Sequence, residues 1–256
     1  PSTPLKSENK GTPMTEIDIK AKKEEYFNNL PQQLQEESKV FGKDWGLTKD
    51  RDLVFFYPNA IKVHKAGKDK KTYWLRNHKD DAICQIFGLD RIDKTKAVYI
   101  FEGEPDVVCA RGIYNAISFS HGAGMIPQDV SALKDVPQII VIGDNDDAGE
   151  MHNQKVAHHF YLMGIEVKIA KWDESLPKGY DIKDDYKANK NFDETDKAIV
   201  NAILYEPTET ETENNLGDFV FMNPKQMRNA EIKPTEWYVE GILPKGFNSM
   251  IAGTTG

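Results

Sequence analysis

Apolar and polar positions change rhythm three times along the chain. From Ile17 to Val40 charged and apolar residues alternate at helical spacing, with Ile19, Tyr26, Phe27, Leu30 and Leu34 on one side. Pro31 lacks the N–H that a continuous helix needs, so two helices are expected there. From Leu53 the runs LVFFYPN, IKVHKAG and KTYWLRN are strand-like, with turn signals at Pro58-Asn59 and Gly67-Lys68. Their β-branched and aromatic content predicts a small antiparallel sheet.

Beyond Arg91 the rhythm becomes one of short, continuously apolar strands between helices, the pattern of a parallel sheet covered on both faces. Ala97 to Phe101, Ala116 to Phe119, Gln138 to Ile142 and Glu166 to Ala170 are the expected strands. Helices are expected over Glu104 to Arg111, Asp129 to Lys134, Ala148 to Met163 and Asp193 to Leu204. Residues 1–15 are polar and without period, and 205–217 (EPTETETENNLG and its flanks) is an acidic linker pattern. The expected organisation is a disordered start over 1–15, a basic α+β subdomain over 16–90, an α/β domain over 91–204, the linker 205–217 and a further segment over 218–256.

Composition narrows the class without naming it. At 256 residues, 39% of them hydrophobic and 10% aromatic, the chain can bury a sizeable core. No window approaches the ~18 unbroken apolar residues of a membrane span. Cys84 and Cys109 form no CxxC pair and lie in no Cys/His cluster, which excludes a zinc finger in these residues and suits a reducing cytoplasm. The formal net charge of -8 argues against a protein that coats nucleic acid by bulk charge. The charge is uneven, however: Lys62, Lys65, Lys68, Lys70, Lys71, Arg76 and Lys79 form a local basic stripe against a single acid, Asp69. Such a stripe can neutralise a few phosphates, and Tyr73 and Trp74 within it can stack on bases. The plain alternative is a solvated hairpin with Trp74 in the core.

The chemistry concentrates at two strand ends. The strand Val98 to Phe101 delivers Glu102-Gly103-Glu104-Pro105-Asp106 at the start of a helix, and Ile139 to Ile142 delivers Gly143-Asp144-Asn145-Asp146-Asp147-Ala148-Gly149 before the next. In a parallel sheet both ends open on one edge, where α/β proteins build their sites. Carboxylates brought together there repel one another unless a cation neutralises them, and oxygen-rich Asp-x-Asp pairs suit Mg²⁺. The implied chemistry is phosphoryl or nucleotidyl transfer. Alternatively, these acids only charge or cap the helix starts that follow them.

VYIFEGEPD (Val98 to Asp106) and IIVIGDNDDAG (Ile139 to Gly149) resemble the strand-Glu-Gly-x-x-Asp and strand-Asp-x-Asp-x-x-Gly motifs of the Toprim domain. That domain is shared by bacterial-type primases, type IA and II topoisomerases, OLD-family nucleases and recombination-repair proteins. SFSHGAG (Ser118 to Gly124), Gly179-Tyr180-Asp181-Ile182-Lys183-Asp184 and the basic segment FFYPNAIKVHKAGKDKKTYWLR followed by Gln85 to Leu89 resemble the primase branch, related to phage primase-helicases. The resemblance implies a Toprim fold preceded by a small α+β subdomain. It implies Glu102 as catalytic acid/base, Asp144 and Asp146 as ligands of Mg²⁺ (or Mn²⁺), and Asp106, Asp147 and Asp181 as supporting acids. It implies single-stranded DNA as template, ribonucleoside triphosphates as substrates and an RNA primer as product. The alternatives within the same resemblance are a nuclease or topoisomerase-like strand cutter and a non-catalytic DNA-binding or assembly module of a helicase.

Trp237 to Gly246 and Ser249 to Gly256 resemble the start of a RecA-like ATPase, with Gly253 as first glycine of a phosphate loop. This implies a piece of a longer primase-helicase, monomeric by itself. His121 either touches substrate or is a surface loop residue. His158-His159 has no partner at metal-ligand spacing and is expected to be structural. Asp181 and Asp184 either complete a metal shell or cap a loop.

Overall fold

The computed structural model describes residues 14–65, 72–76, 84–207, 237–239 and 243–244. Lys68, Lys70, Lys71, Lys79, the polar start through Pro13, most of the acidic linker and the phosphate-loop resemblance at 249–256 lie outside the described residues. Two helices come first, α1 (Glu16–Asn28) and α2 (Gln32–Phe41), separated at Pro31 as the sequence requires. Thr15 caps α1 in a reciprocal box with Asp18, which satisfies donors that the first helical turn leaves open.

Four strands follow: β1 (Trp45–Leu47), β2 (Leu53–Tyr57), β3 (Ala60–His64) and β4 (Thr72–Arg76). They form an antiparallel sheet in chain order. β1 escapes the sequence pattern because it has only three residues and a central glycine. Gly46 is required there, since a Cβ would sit 2.5 Å from the Tyr26 carbonyl oxygen on α1.

The second sheet has six strands: β5 (Ile86–Phe87), β6 (Val98–Phe101), β7 (Ala116–Phe119), β8 (Ile139–Ile142), β9 (Val167–Ile169) and β10 (Ile203–Leu204). Their order is β10-β9-β8-β6-β7-β5, the four central strands parallel and the two edges antiparallel. The fold is mixed α/β with a parallel core. Residues of β8 alternate between two buried clusters: Ile140 and Ile142 face one, Ile139 and Val141 the other. The first cluster also contains Phe55, Tyr57 and Phe87 of the strands that precede it, so the small sheet and one face of the large sheet share a core. The second cluster is closed by Val156, Ala157 and Phe160 of α4 (Asp147–Leu162).

Two expectations are corrected, and one helix is added to them. Asp129 to Lys134 makes only a 3-10 turn at Ser131–Leu133, because a six-residue segment between Pro127 and Pro137 has too few hydrogen bonds to offset helix nucleation. The helix expected to run to Leu204 is α6 (Asp193–Val200), after which Ile203–Leu204 pairs with β9 instead. A further helix, α5 (Ile182–Asn189), was concealed by the polar sequence IKDDYKAN, of which Ile182 and Asp185 are buried. At the far end, β11 (Trp237–Val239) and β12 (Leu243–Pro244) pair antiparallel. Among the described residues no helix is long and apolar enough to cross a membrane.

Candidate active site

β6 is the first of the parallel strands in the chain, after which β7 is added on one side of it and β8 on the other. The order therefore reverses between β6 and β8, and the crevice beyond the carboxyl ends of those strands is where α/β sheets bind ligands. Phe101 pairs with Ile142 across that boundary, so Glu102 and Gly143 leave the sheet side by side. The Glu102 carboxylate accepts a hydrogen bond from the Asp144 backbone N–H at 3.3 Å. Both residues line a cavity of about 550 Å³ together with Asp106, Lys183, Lys62, His64, Trp74 and His121. Two larger cavities, of about 630 Å³ around Phe41, Arg91, Arg111 and Asn115 and about 670 Å³ around Lys43, Phe56, Cys84 and Leu89, hold none of the acids of the two turns.

The first turn divides its acids between different tasks. Asp106 accepts from the Gly103 backbone N–H at 3.0 Å and closes the start of α3 (Glu104–Cys109). Burial raises its proton affinity, and Lys183 opposes that by pairing with it. Lys183 also pairs with Asp181 at 2.8 Å. Burial disfavours the Lys183 ammonium, yet Asp106 and then Asp181 outweigh this and hold its proton affinity above the ordinary lysine value. Asp106 and Asp181 thus already have a cation of their own.

Asp144 has none. Burial first, then the negative charges of Glu102 and Asp106, push its carboxyl up to about 7, with Lys183 giving only partial relief. Glycine at position 149 is what permits this turn: a Cβ there would lie 2.1 Å from the Asp144 carbonyl oxygen. The turn is strapped from outside as well. The Trp172 indole donates to the Gly143 carbonyl at 2.8 Å, and the Asn145 backbone exchanges hydrogen bonds with Tyr180 and Gly179.

Asp146 is the N-cap of α4, where one of its carboxylate oxygens accepts from Ala148 N–H at 3.0 Å and Gly149 N–H at 2.9 Å. Asp147 points to solvent and pairs with Lys178 at 2.7 Å. Asp181 caps α5 and Asp184 pairs with Lys187. Among the described residues no three His, Cys, Asp or Glu side chains gather closely enough to form a metal cluster by themselves.

No family model matches this chain, and no curated protein matches it. Its structural neighbours include catalytic domains of DNA primases. The zinc-binding and RNA polymerase domains of the Aquifex aeolicus primase share 19% identity with it at a TM-score of 0.49, over 75% of this chain and 50% of that one. A DNA primase domain from Pseudomonas aeruginosa gives 18% and 0.47, over 68% and 61%. The primase fragment of the bacteriophage T7 primase-helicase gives 22% and 0.43, over 64% and 70%. The chain spans half the length of the first of these and 61% of the second.

The basic stripe requires a correction. Lys62 is not on the surface: only 6% of it is exposed, and its ammonium lies 2.6 Å from a Glu104 carboxylate oxygen and 2.5 Å from the Ser120 carbonyl. β3 is an inner strand whose face packs on the large sheet, so an ionised lysine there needs an internal partner. Glu104 is 1% exposed and also accepts from the Tyr57 hydroxyl at 2.7 Å, while His64 lies 3.9 Å from its other oxygen. Lys65 is exposed, Arg76 half-buried, and neither lines the cavity.

Glu104, Lys183 and His64 line the candidate site and were passed over by the motif reading. One signal was present for the first: a single lysine in the apolar strand AIKVH marks a buried charge that needs an acid.

Proposed function

We propose that this chain is the catalytic part of a metal-dependent DNA primase, a nucleotidyltransferase that makes short RNA primers on single-stranded DNA. The supporting observation is the pairing of Glu102 and Asp144 at the ends of adjacent parallel strands, with the Asp144 carboxyl pushed up to about 7. An acid so poor in compensating positive charge fits a bound cation. Asp144, and Asp146 through the oxygen not engaged in capping, would hold Mg²⁺ or Mn²⁺, which supplies charge neutralisation for a triphosphate during in-line displacement. In this reading Glu102 takes the proton of the attacking hydroxyl, held in position by the Asp144 N–H. Lys183 keeps Asp106 and Asp181 neutralised so that the field of the site is concentrated on Asp144. Asp147 would contribute only at a distance, from its exposed pair with Lys178. Lys65 and Arg76 remain available to phosphate outside the cavity.

The expected partners are a single-stranded template, ribonucleoside triphosphates and a helicase domain, in a cytoplasmic setting, with the piece monomeric by itself. A second reading, a non-catalytic Toprim-like DNA-binding or assembly module, is favoured by the commitment of Asp146 to the α4 cap. Primer synthesis from ribonucleotides on single-stranded DNA with Mg²⁺ or Mn²⁺ separates the two. Wild type is expected to give product, and Glu102→Gln and Asp144→Ala to lose it by about a hundredfold or more. Product undiminished in both variants would remove these acids from the mechanism.

A further inference from the structure

Facing the acids across the cavity stands a pair of rings that the reaction as described does not use. Trp74 of β4 and His121, in the loop after β7, have ring centroids 6.2 Å apart and planes 25° from parallel. Both line the same cavity as Glu102 and Asp144. The loop that carries His121 abuts the catalytic turn: a Cβ on Gly122 would lie 3.5 Å from the Glu102 carbonyl oxygen.

The pair is held by groups from both sheets. The Lys62 ammonium, fixed by Glu104 and the Ser120 carbonyl, lies 6.0 Å from the centre of the Trp74 ring. The His121 imidazole meets the Ser120 hydroxyl at 3.0 Å. The Tyr57 ring, tilted against Trp74, lies 5.2 Å from it between ring centres. His64, whose Nε2 is buried and has no hydrogen-bond partner among the described residues, lines the same cavity. Thr72 adds a hydroxyl. Flat apolar faces beside polar groups able to read a heterocycle's edge are what a planar, hydrogen-bonding ligand needs.

We propose that Trp74 and His121 form a nucleobase seat, on which the base of a nucleotide stacks while its phosphates reach toward the acidic turns. The assignment rests on the reading of the acids as a nucleotidyl-transfer site, which says nothing of where a base lies. Stacking on an aromatic ring requires no particular base, so the seat discriminates base from no base more strongly than one base from another. The base has two sources, an incoming ribonucleoside triphosphate or the template strand.

Equilibrium binding to the full chain tests this without reference to catalysis. Four probes serve: ATP, inorganic tripolyphosphate, an oligodeoxythymidylate and the same oligonucleotide with abasic sites. Trp74→Leu and His121→Ala are expected to weaken a base-bearing probe about tenfold while leaving its baseless counterpart unchanged, and Trp74→Phe to retain most of the affinity. A loss confined to ATP assigns the seat to the incoming nucleotide, and one confined to the oligonucleotide assigns it to the template. His121 is exposed on its loop, so His121→Ala carries the test even where Trp74→Leu fails to fold. Affinity unchanged for every probe, or lost equally with and without a base, overturns the seat. Base-dependent binding in a chain that makes no primers would keep the seat and remove the primer reading.

Discussion

The two walls of the cavity treat buried charge in opposite ways. On the wall formed by β2, β3 and α3, Glu104 is nearly inaccessible, and its charge is met by Lys62 at 2.6 Å and by the Tyr57 hydroxyl at 2.7 Å. On the wall formed by the ends of β6 and β8, Asp144 sits among acids, and its carboxyl is pushed up to about 7. The difference separates a fastening from a working site. A compensated ion pair between β3 and α3 fastens the small sheet onto the α/β part, whereas an uncompensated acid stores an electrostatic demand that a ligand can meet.

The comparison breaks first at the fastening. Lys62→Ala would leave the Glu104 charge buried and unpaired, and a loss of about 3–5 kcal/mol in chemical denaturation is expected. A loss under about 1 kcal/mol would mean that Glu104 is not held ionised by Lys62 and that the two walls do not differ in kind.

Acid separates the site from its surroundings next. His152, buried behind the second turn in α4, has its proton affinity pushed down to about 4 by burial and then by Lys155. The unfolded chain binds a proton there near 6.5 and the native one does not, so stability is present above that range and falls between about pH 6.5 and 4. The expected cost is about 3 kcal/mol, and it should vanish in His152→Leu. Asp144 runs the other way: its raised proton affinity contributes stability at low pH that is lost as pH rises from about 4 through 7. Urea midpoints collected across this range without added metal, for wild type, His152→Leu and Asp144→Asn, would expose two contributions of opposite slope, and a single slope would sink the assignment.

Metal should act on one wall alone. Mg²⁺ at a hundred times its dissociation constant is expected to stabilise wild type by about 2.7 kcal/mol, and to do nothing for Asp144→Asn. Equal stabilisation of both would put the cation elsewhere. The smallest effect concerns the turn itself. Gly149→Ala should lower stability by about 1–2 kcal/mol, because its Cβ meets the Asp144 backbone, although alanine ordinarily favours a helix over glycine. Unchanged or increased stability would show that α4 can retreat from the turn.

Much of this is legible in the sequence. The apolar runs at 98–101 and 139–142 announced buried strands, and the acids after them announced a shared edge. The basic stripe was misread at Lys62 because its neighbours in sequence are further lysines, while its neighbours in space are Glu104 and Ser120. Asp147 was expected as a supporting acid, yet the first turn of α4 rotates it outward to Lys178. The short strand β1 and the polar helix α5 were hidden for a different reason: each is fixed by tertiary contacts of a few residues rather than by its own propensity.

The alternation of strands and helices and the delivery of Glu102 and Asp144 to strand ends follow from the chain locally, because hydrophobic periodicity is set within a few residues. Only the tertiary structure decided which acids received a cation of the protein's own. Lys62 and Glu104 are 42 residues apart, and Lys183 and Asp106 are 77 apart. A charge finds its partner through the topology that folds such distances to contact, and no local pattern encodes that choice.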